Sequence, residues 1–395
     1  MENIMEKSNS LFMNTYGRYP AVMVEGSGCL LKDENGKEYL DFLAGIAVCG
    51  LGHCHPEVTA AIVVQAGKLV HVSNLFYTAP QTELAELLVA NSFADRIFLA
   101  NSGAEVNEAA IKLARKHGGP GRYEIISLQG SFHGRTLATV AATGQGKFHK
   151  GFEPLPEGFV HAPFGDLDAL EKMISDRTCG ILCEPLQGEG GVRPLPKEYL
   201  QGIRKLCDKH NLVLIFDEVQ VGMGRTGTLF AYEQFGVEPD IMTLAKALGN
   251  GLPIGAMLAR EGVAASFSPG DHASTFGGNP VACAGAVAVL KIMLGAGFLD
   301  GVRGKGAYLS GRLQALVEEF PELATGVRGL GLIQGLVLTE KGASLGAEIV
   351  KRLFDEGVLA NFAGGVALRF IPPLIIHETQ VDSMISRLRE VLAGL

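Results

Sequence analysis

Residues 212–255 read LVLIFDEVQVGMGRTGTLFAYEQFGVEPDIMTLAKALGNGLPIG, and their reading decides the fold. The stretch opens on Leu212-Val213-Leu214-Ile215-Phe216, an apolar run of strand formers with no polar–apolar alternation. Such a run predicts a strand buried on both faces of a parallel sheet. Asp217 and Glu218 follow at once, where that strand should end. A second strand, Asp240-Ile241-Met242-Thr243-Leu244, comes after a short helical passage and runs into Ala245-Lys246-Ala247 and glycine turns. Ligands of open α/β sheets bind beyond the carboxyl ends of the strands. An acid and a lysine at two such ends can therefore face one cleft.

That pairing has a specific chemical use. A carboxylate against a pyridine nitrogen keeps the nitrogen protonated and makes the ring an electron sink. A desolvated lysine, with its neutral amine accessible, can form an imine with an aldehyde. Together they describe a pyridoxal phosphate (PLP) site built on Lys246 and Asp217. A solvated strand-end acid and an ordinary loop lysine would read the same, because perturbed groups at strand ends mark function only statistically.

Further along the chain, the strand Arg96-Ile97-Phe98-Leu99-Ala100 leads into Asn101-Ser102-Gly103-Ala104-Glu105. Ser102 with Glu105 three residues later forms a capping box opening the helix EVNEAAIKLARK. The free N–H groups and positive dipole end of that helix make a ready phosphate site, although an ordinary capped helix reads the same way.

FDEVQVGMGRTG (216–227) and TLAKALGNGLPIGAML (243–258) resemble the signature of the class III, ornithine-type aminotransferases of PLP fold type I. NSGAEVNEAAIKLARK, SFHGRT, CEPLQGEGG and STFGGNP extend the resemblance over nearly the whole chain, in the family's order. The fold so implied is α/β, a large domain with a mostly parallel central sheet plus a small α+β domain. The expected division is 1–48 (N-terminal segment joining the small domain), 49–290 (PLP-binding domain) and 291–395 (C-terminal α+β domain).

The resemblance also implies roles. Lys246 carries PLP, Asp217 pairs with the ring nitrogen, and Phe132 and Val219 pack on the two ring faces. Gln220 bonds the phenolic oxygen; Ser102, Gly103 and Ala104 hold the phosphate, with Thr275 donated across a homodimer interface. Tyr16 and Arg135 meet the substrate carboxylate, and Glu189 gates Arg369, while Glu184 reads as structural. Ile46 stands where ornithine-specific members tend to have tyrosine. That favours N-acetylornithine, with 2-oxoglutarate as acceptor, over ornithine, succinylornithine or N-succinyl-diaminopimelate. Val221 departs from the family, which more often has threonine there.

The rest of the chain is consistent with this reading. At 395 residues there is material for two or three domains. The 52 glycines are well above the usual share of ~7% and fit many tight turns and close backbone approaches. A net charge of −8 and a pI near 5.7 argue against nucleic acid as a partner. No basic region leads into an apolar core at the N-terminus, and the apolar run VACAGAVAVL meets Lys291 too soon for a membrane span. Seven scattered cysteines point to reduced thiols in a cytoplasm. His53-Cys54-His55 lacks a second ligand pair, so a core or turn role is expected and no metal.

The reading from another class is a nicotinamide dehydrogenase, because Gly222-Met223-Gly224-Arg225-Thr226-Gly227 spells GxGxxG. A dinucleotide fingerprint belongs in the strand-to-helix turn itself, whereas here Asp217–Val221 intervene. Elsewhere, Asn35-Gly36 predicts a hairpin turn between CLLKD and KEYLDFL. Helices are expected at AAIVVQAGKLV (60–70) and TELAELLVANS (82–92). Leu309, Leu313, Leu316, Val317 and Phe320 mark the apolar face of another.

Overall fold

The computed structural model describes residues 4–395. An N-terminal meander comes first: β1 (Met23–Ser27), β2 (Leu30–Asp33) and β3 (Glu38–Asp41) pair antiparallel. The Asn35-Gly36 turn joins β2 to β3, with Gly36 at φ 83°, the left-handed backbone this turn requires.

The main sheet is built from β4 (Arg96–Ala100), β5 (Glu124–Leu128), β6 (Phe159–Ala162) and β7 (Thr178–Cys183). After a short hairpin, β8 (Leu186–Gln187) and β9 (Arg193–Pro194), it continues with β10 (Val213–Asp217), β11 (Ile241–Leu244) and β12 (Gly255–Ala259). The order across the sheet is β4-β12-β11-β10-β7-β5-β6, and only β12 runs against the rest. Every residue of β5, β7, β10, β11 and β12 is buried, as the unalternating apolar runs require. Register places Asp217 opposite Thr243, so Asp217 and Lys246 leave the same edge of the sheet.

The helix Gly103–Gly118 lies across that sheet. Its buried residues Val106, Asn107, Ala110, Ile111, Leu113 and Ala114 recur at helical spacing. Ser102 accepts from the Glu105 N–H at 3.2 Å, but the Glu105 carboxylate reaches one residue past the cap, to the Asn101 N–H at 2.8 Å. The outer helices start earlier than expected, at Pro56–Ala66 and Ala79–Ala90. In both, a proline in the first turn needs no N–H partner and sets the start.

The C-terminal part forms a second, antiparallel sheet in the order β13 (Ala324–Leu330), β14 (Ile333–Leu338), β17 (Ala367–Phe370), β16 (Asn361–Ala363). The helix Phe298–Glu319 packs on it through Leu309, Leu313 and Leu316, all fully buried and each contributing about 2 kcal/mol. β15 (Val358–Leu359) adds to the N-terminal meander beside β3, tying the two ends of the chain together. Among the described residues no single helix is long and apolar enough to cross a membrane. The bent pair Pro280–Met293 and Phe298–Glu319 turns through 74°.

Candidate active site

A cavity of about 340 Å³ opens beyond the carboxyl ends of β4, β10 and β11. Its lining includes Ser102, Gly103, Ala104, Phe132, Glu189, Asp217, Val219, Gln220 and Lys246, nine side chains and backbone positions singled out from the sequence. The lysine and the acid thus share one cavity rather than two solvated loops.

Asp217 is 4% exposed and is held from three directions. Its Oδ2 accepts from Asn107 Nδ2 and meets His133 Nδ1, both at 2.8 Å, and its Oδ1 accepts from the Val219 N–H at 3.1 Å. Asn107 is oriented in turn by the Thr243 hydroxyl, which donates to its Oδ1 at 2.7 Å. A carboxylate with this many donors is fixed as an acceptor. Glu218, its sequence neighbour, points elsewhere: it accepts from the N–H groups of Ala231 and Tyr232, and burial pushes its carboxyl up to about 8. The adjacent acids therefore divide into one for the cavity and one for the loop.

Lys246 sits at φ 45°, a left-handed backbone that costs a non-glycine residue about 1 kcal/mol or more. Burial lowers its pKa from the ordinary lysine value, and the charge of nearby Arg369 acts the same way against the opposing pull of Glu189. A neutral amine is the nucleophilic form.

At one wall, the start of Gly103–Gly118 presents the unpaired N–H groups of a helix N-terminus. A Cβ on Gly103 would lie 2.8 Å from Val219, so only glycine fits between the helix start and that side chain. Phe132 forms another wall. Its N–H donates to Glu184 Oε2 at 3.0 Å, which gives the reading of Glu184 as structural a concrete partner. Burial drives the Glu184 carboxyl well above the usual range, and the charge of Asp217 adds to the effect.

The pair to which the resemblance assigns a gate is in contact. Arg369, completely buried on β17, donates through Nη1 to Glu189 Oε1 at 2.7 Å and to Gln220 Oε1 at 2.9 Å, and through Nε to Asn361 Oδ1 at 3.0 Å. Its Nη2 has no partner among the described residues. Burial works against the Glu189 charge, but the Arg369 guanidinium outweighs it and holds the carboxyl below its ordinary value. Gln220 here bonds Arg369 and Glu189.

Four expected residues do not line the cavity: Arg369 is buried behind Glu189 and Gln220, and three others are exposed. Tyr16 is 72% exposed, and Thr275 lies on a separate surface groove with Ser73, Asn74 and His272. Arg135 is exposed and stacks its guanidinium over Phe148, 4.3 Å from the ring centroid. Val221 lines the cavity among apolar neighbours Leu186, Val192 and Ile333. His53 is engaged by Asp41 Oδ2 at 2.7 Å, a turn role. The Gly222–Gly227 turn is filled by protein, since the buried Arg225 within it donates to the carbonyls of Leu332 and Pro372.

Asn107, His133 and Asn361 escaped the sequence reading. Asn107 had a signal: a polar residue on the apolar face of a helix. His133 lay within a quoted motif without being singled out, and nothing local marked Asn361.

The profile of the class-III aminotransferases matches residues 12–392. The chain belongs to this family. It is 52% identical to an acetylornithine aminotransferase of Gloeobacter violaceus, over 97% of this chain and 96% of that one. It is 50% identical to one of Methanocaldococcus jannaschii, over 100% and 99%. Among solved structures, N-acetylornithine aminotransferase of Stenotrophomonas maltophilia superposes with a TM-score of 0.86 at 40% identity, covering 99% of each chain. Ornithine aminotransferase of Toxoplasma gondii gives 0.94 at 32%, covering 99% of this chain and 94% of that one. As a class-III aminotransferase the protein depends on pyridoxal phosphate. The residues present fit that group: a buried acid at Asp217, a desolvated amine at Lys246 and a free helix start at Gly103.

Proposed function

We propose that this chain is an acetylornithine aminotransferase of arginine biosynthesis. It moves the δ-amino group of N2-acetylornithine to 2-oxoglutarate, giving N-acetylglutamate 5-semialdehyde and glutamate. The observation that carries the chemistry is the burial of Lys246 and Asp217 in one cavity beside Arg369, whose charge is neutralised by a partly exposed carboxylate, Glu189. The choice of amine donor rests on identity of 52% and 50% over nearly the full length to two acetylornithine aminotransferases.

Bound pyridoxal phosphate supplies an electrophilic carbon and a ring that accepts electron density. Lys246 would hold the group and, once free, carry a proton to and from the substrate carbon as general acid and base. Asp217, fixed by Asn107 and His133, keeps a proton on the ring nitrogen. Ser102, Gly103 and Ala104 take the phosphate at the helix start, with Thr275 of a second copy. Phe132 and Val219 would confine the ring, and Gln220, which accepts from Arg369, would bond its phenolic oxygen. Arg135 and Tyr16 receive the carboxylate end of the donor. Arg369 takes the second carboxylate of 2-oxoglutarate after Glu189 swings away.

Exposed apolar residues near Thr275 also support a homodimer. Leu75, Phe76, Tyr77 and Phe276 form an exposed apolar set whose covering by a second copy would bury it together with Thr275. Steady-state comparison of amine donors tests the substrate assignment. N2-acetylornithine should exceed ornithine, succinylornithine and N-succinyl-diaminopimelate in kcat/KM by about tenfold or more, one good pocket contact. A larger value for any of the other three replaces the assignment with that donor.

A further inference from the structure

The Glu189 carboxylate sits on a loop, Gly188–Val192, between β8 and β9. Gly188, Gly190 and Gly191 are closely packed. A Cβ on Gly188 would lie 1.7 Å from Gln220 Oε1, one on Gly190 2.7 Å from the Gly130 carbonyl oxygen, and one on Gly191 2.7 Å from Val366. These glycines are there for close packing, although so many in one loop would otherwise read as a flexible hinge.

What the loop packs against is a single row of the C-terminal sheet. Arg328 stands opposite Gly335, Gly335 opposite Arg369, and Arg369 opposite Asn361. Directly opposed residues point to the same face. Each member of the row grips the loop or its partner. Arg369 takes the Glu189 carboxylate, and Asn361 orients Arg369. Gly335 leaves a gap that Val192 fills, since a Cβ on Gly335 would fall 2.9 Å from the Val192 Cβ. Arg328 donates through both Nε and Nη2 to the Gly191 carbonyl, at 2.9 and 2.5 Å.

We infer that Arg328 is a positioning residue for the exchange of substrates: it fastens the Gly188–Val192 backbone to the strand row that carries Arg369. Glu189 then leaves and returns by side-chain rotation over a backbone that stays in place. The distance from Glu189 to Arg369 is thereby preserved, and the pair re-forms each time the site changes from a dicarboxylate to the amine donor. The forked guanidinium suits this task, because two parallel N–H groups fix the direction of one carbonyl where a single donor would let it pivot. The inference rests on Glu189 acting as the gate.

The test uses the cofactor-loaded enzyme and glutarate, a dicarboxylate with no group to react, titrated by calorimetry. Glu189→Ala should tighten glutarate about tenfold by removing its competitor for Arg369. Arg328→Met should tighten it about threefold, because a loosened loop pairs Glu189 less well, and Arg328→Lys should fall between Met and wild type. In the Glu189→Ala background, Arg328→Met should change nothing further, since there is no carboxylate left to position. The glutamate half-reaction should gain relative to the N2-acetylornithine half-reaction in the same order. A role in stability alone would instead make Arg328→Met weaken glutarate, and do so equally with or without Glu189; that result overturns the inference. Should Glu189→Ala tighten glutarate while Arg328→Met does not, the positioning role is rejected and the gate stands. Should Glu189→Ala itself leave glutarate unchanged, the gate fails and the role of Arg328 falls with it.

Discussion

The floor and the rim of the cavity are built to different standards. On the floor, Asp217 has three donors around it, Lys246 is desolvated, and Arg369 is fully buried with three partners of its own. The residues expected at its rim, Tyr16, Arg135 and Thr275, are exposed and do not line it, and Thr275 is followed by Phe276, an apolar side chain that a single chain leaves uncovered. The difference teaches where one chain's folding energy suffices. Groups that must hold a charge or a neutral amine out of water need a prebuilt polar shell, because an unpaired buried charge is too costly. Groups that meet the substrate's ends can wait for a second copy and for the ligand itself.

The largest effect should come from the floor. Lys246→Ala removes both the anchor and the proton carrier, so turnover should drop about 10⁴-fold, the upper range for loss of a positioned acid–base group. The visible absorption band of the imine to Lys246 should be lost as well. Borohydride reduction should label Lys246 in the parent protein. A label on any other lysine breaks the assignment of the floor.

A smaller effect separates the rim from the floor. Thr275→Ala should weaken cofactor binding about tenfold, the worth of a hydrogen bond to a charged phosphate. Mixing it with Lys246→Ala subunits should restore one native-like site per mixed dimer, if the rim is completed by the second copy. Retention of full activity by a dilute monomer would place the whole site within one chain and erase the contrast.

The smallest effect concerns the cost of the floor to stability. Burial holds the folded-state pKa of Lys246 below the ordinary 10.5. The unfolded chain therefore binds more protons at this residue between the lowered value and 10.5, so stability rises with pH through that window. Below it the full cost is present, and above 10.5 it vanishes. In cofactor-free protein, Lys246→Met should raise stability at neutral pH, and the gain should shrink as pH approaches 10.5. Urea melts at a series of pH values would check this. A gain that does not change with pH would mean that the methionine merely packs better and that Lys246 is not desolvated.

Comparing sequence and structure element by element shows the same division. The parallel strands at Val213–Asp217 and Ile241–Leu244, the capped helix at Gly103 and the hairpin at Asn35-Gly36 were legible because each depends on neighbours in the chain: an apolar run, a cap three residues from its acid, a turn that needs glycine. The helix starts at Pro56 and Ala79 were missed by a few residues, since apolar spacing marks a helix's face better than its first turn. Asn107 could have been suspected as a polar residue on a buried face, but which group it would hold could not. Only tertiary structure brought Asn107, His133 and Thr243 around Asp217 and laid Arg328, Gly335, Arg369 and Asn361 in one row. Local pattern could not have coupled Glu189 to Arg369 across 180 residues, a pair legible only through the resemblance. The reason is physical. Local pattern reports what each residue does to its own backbone and to the water around it. Which carboxylate meets which arginine is set by strand order and register, and these are chosen by the burial of the whole core.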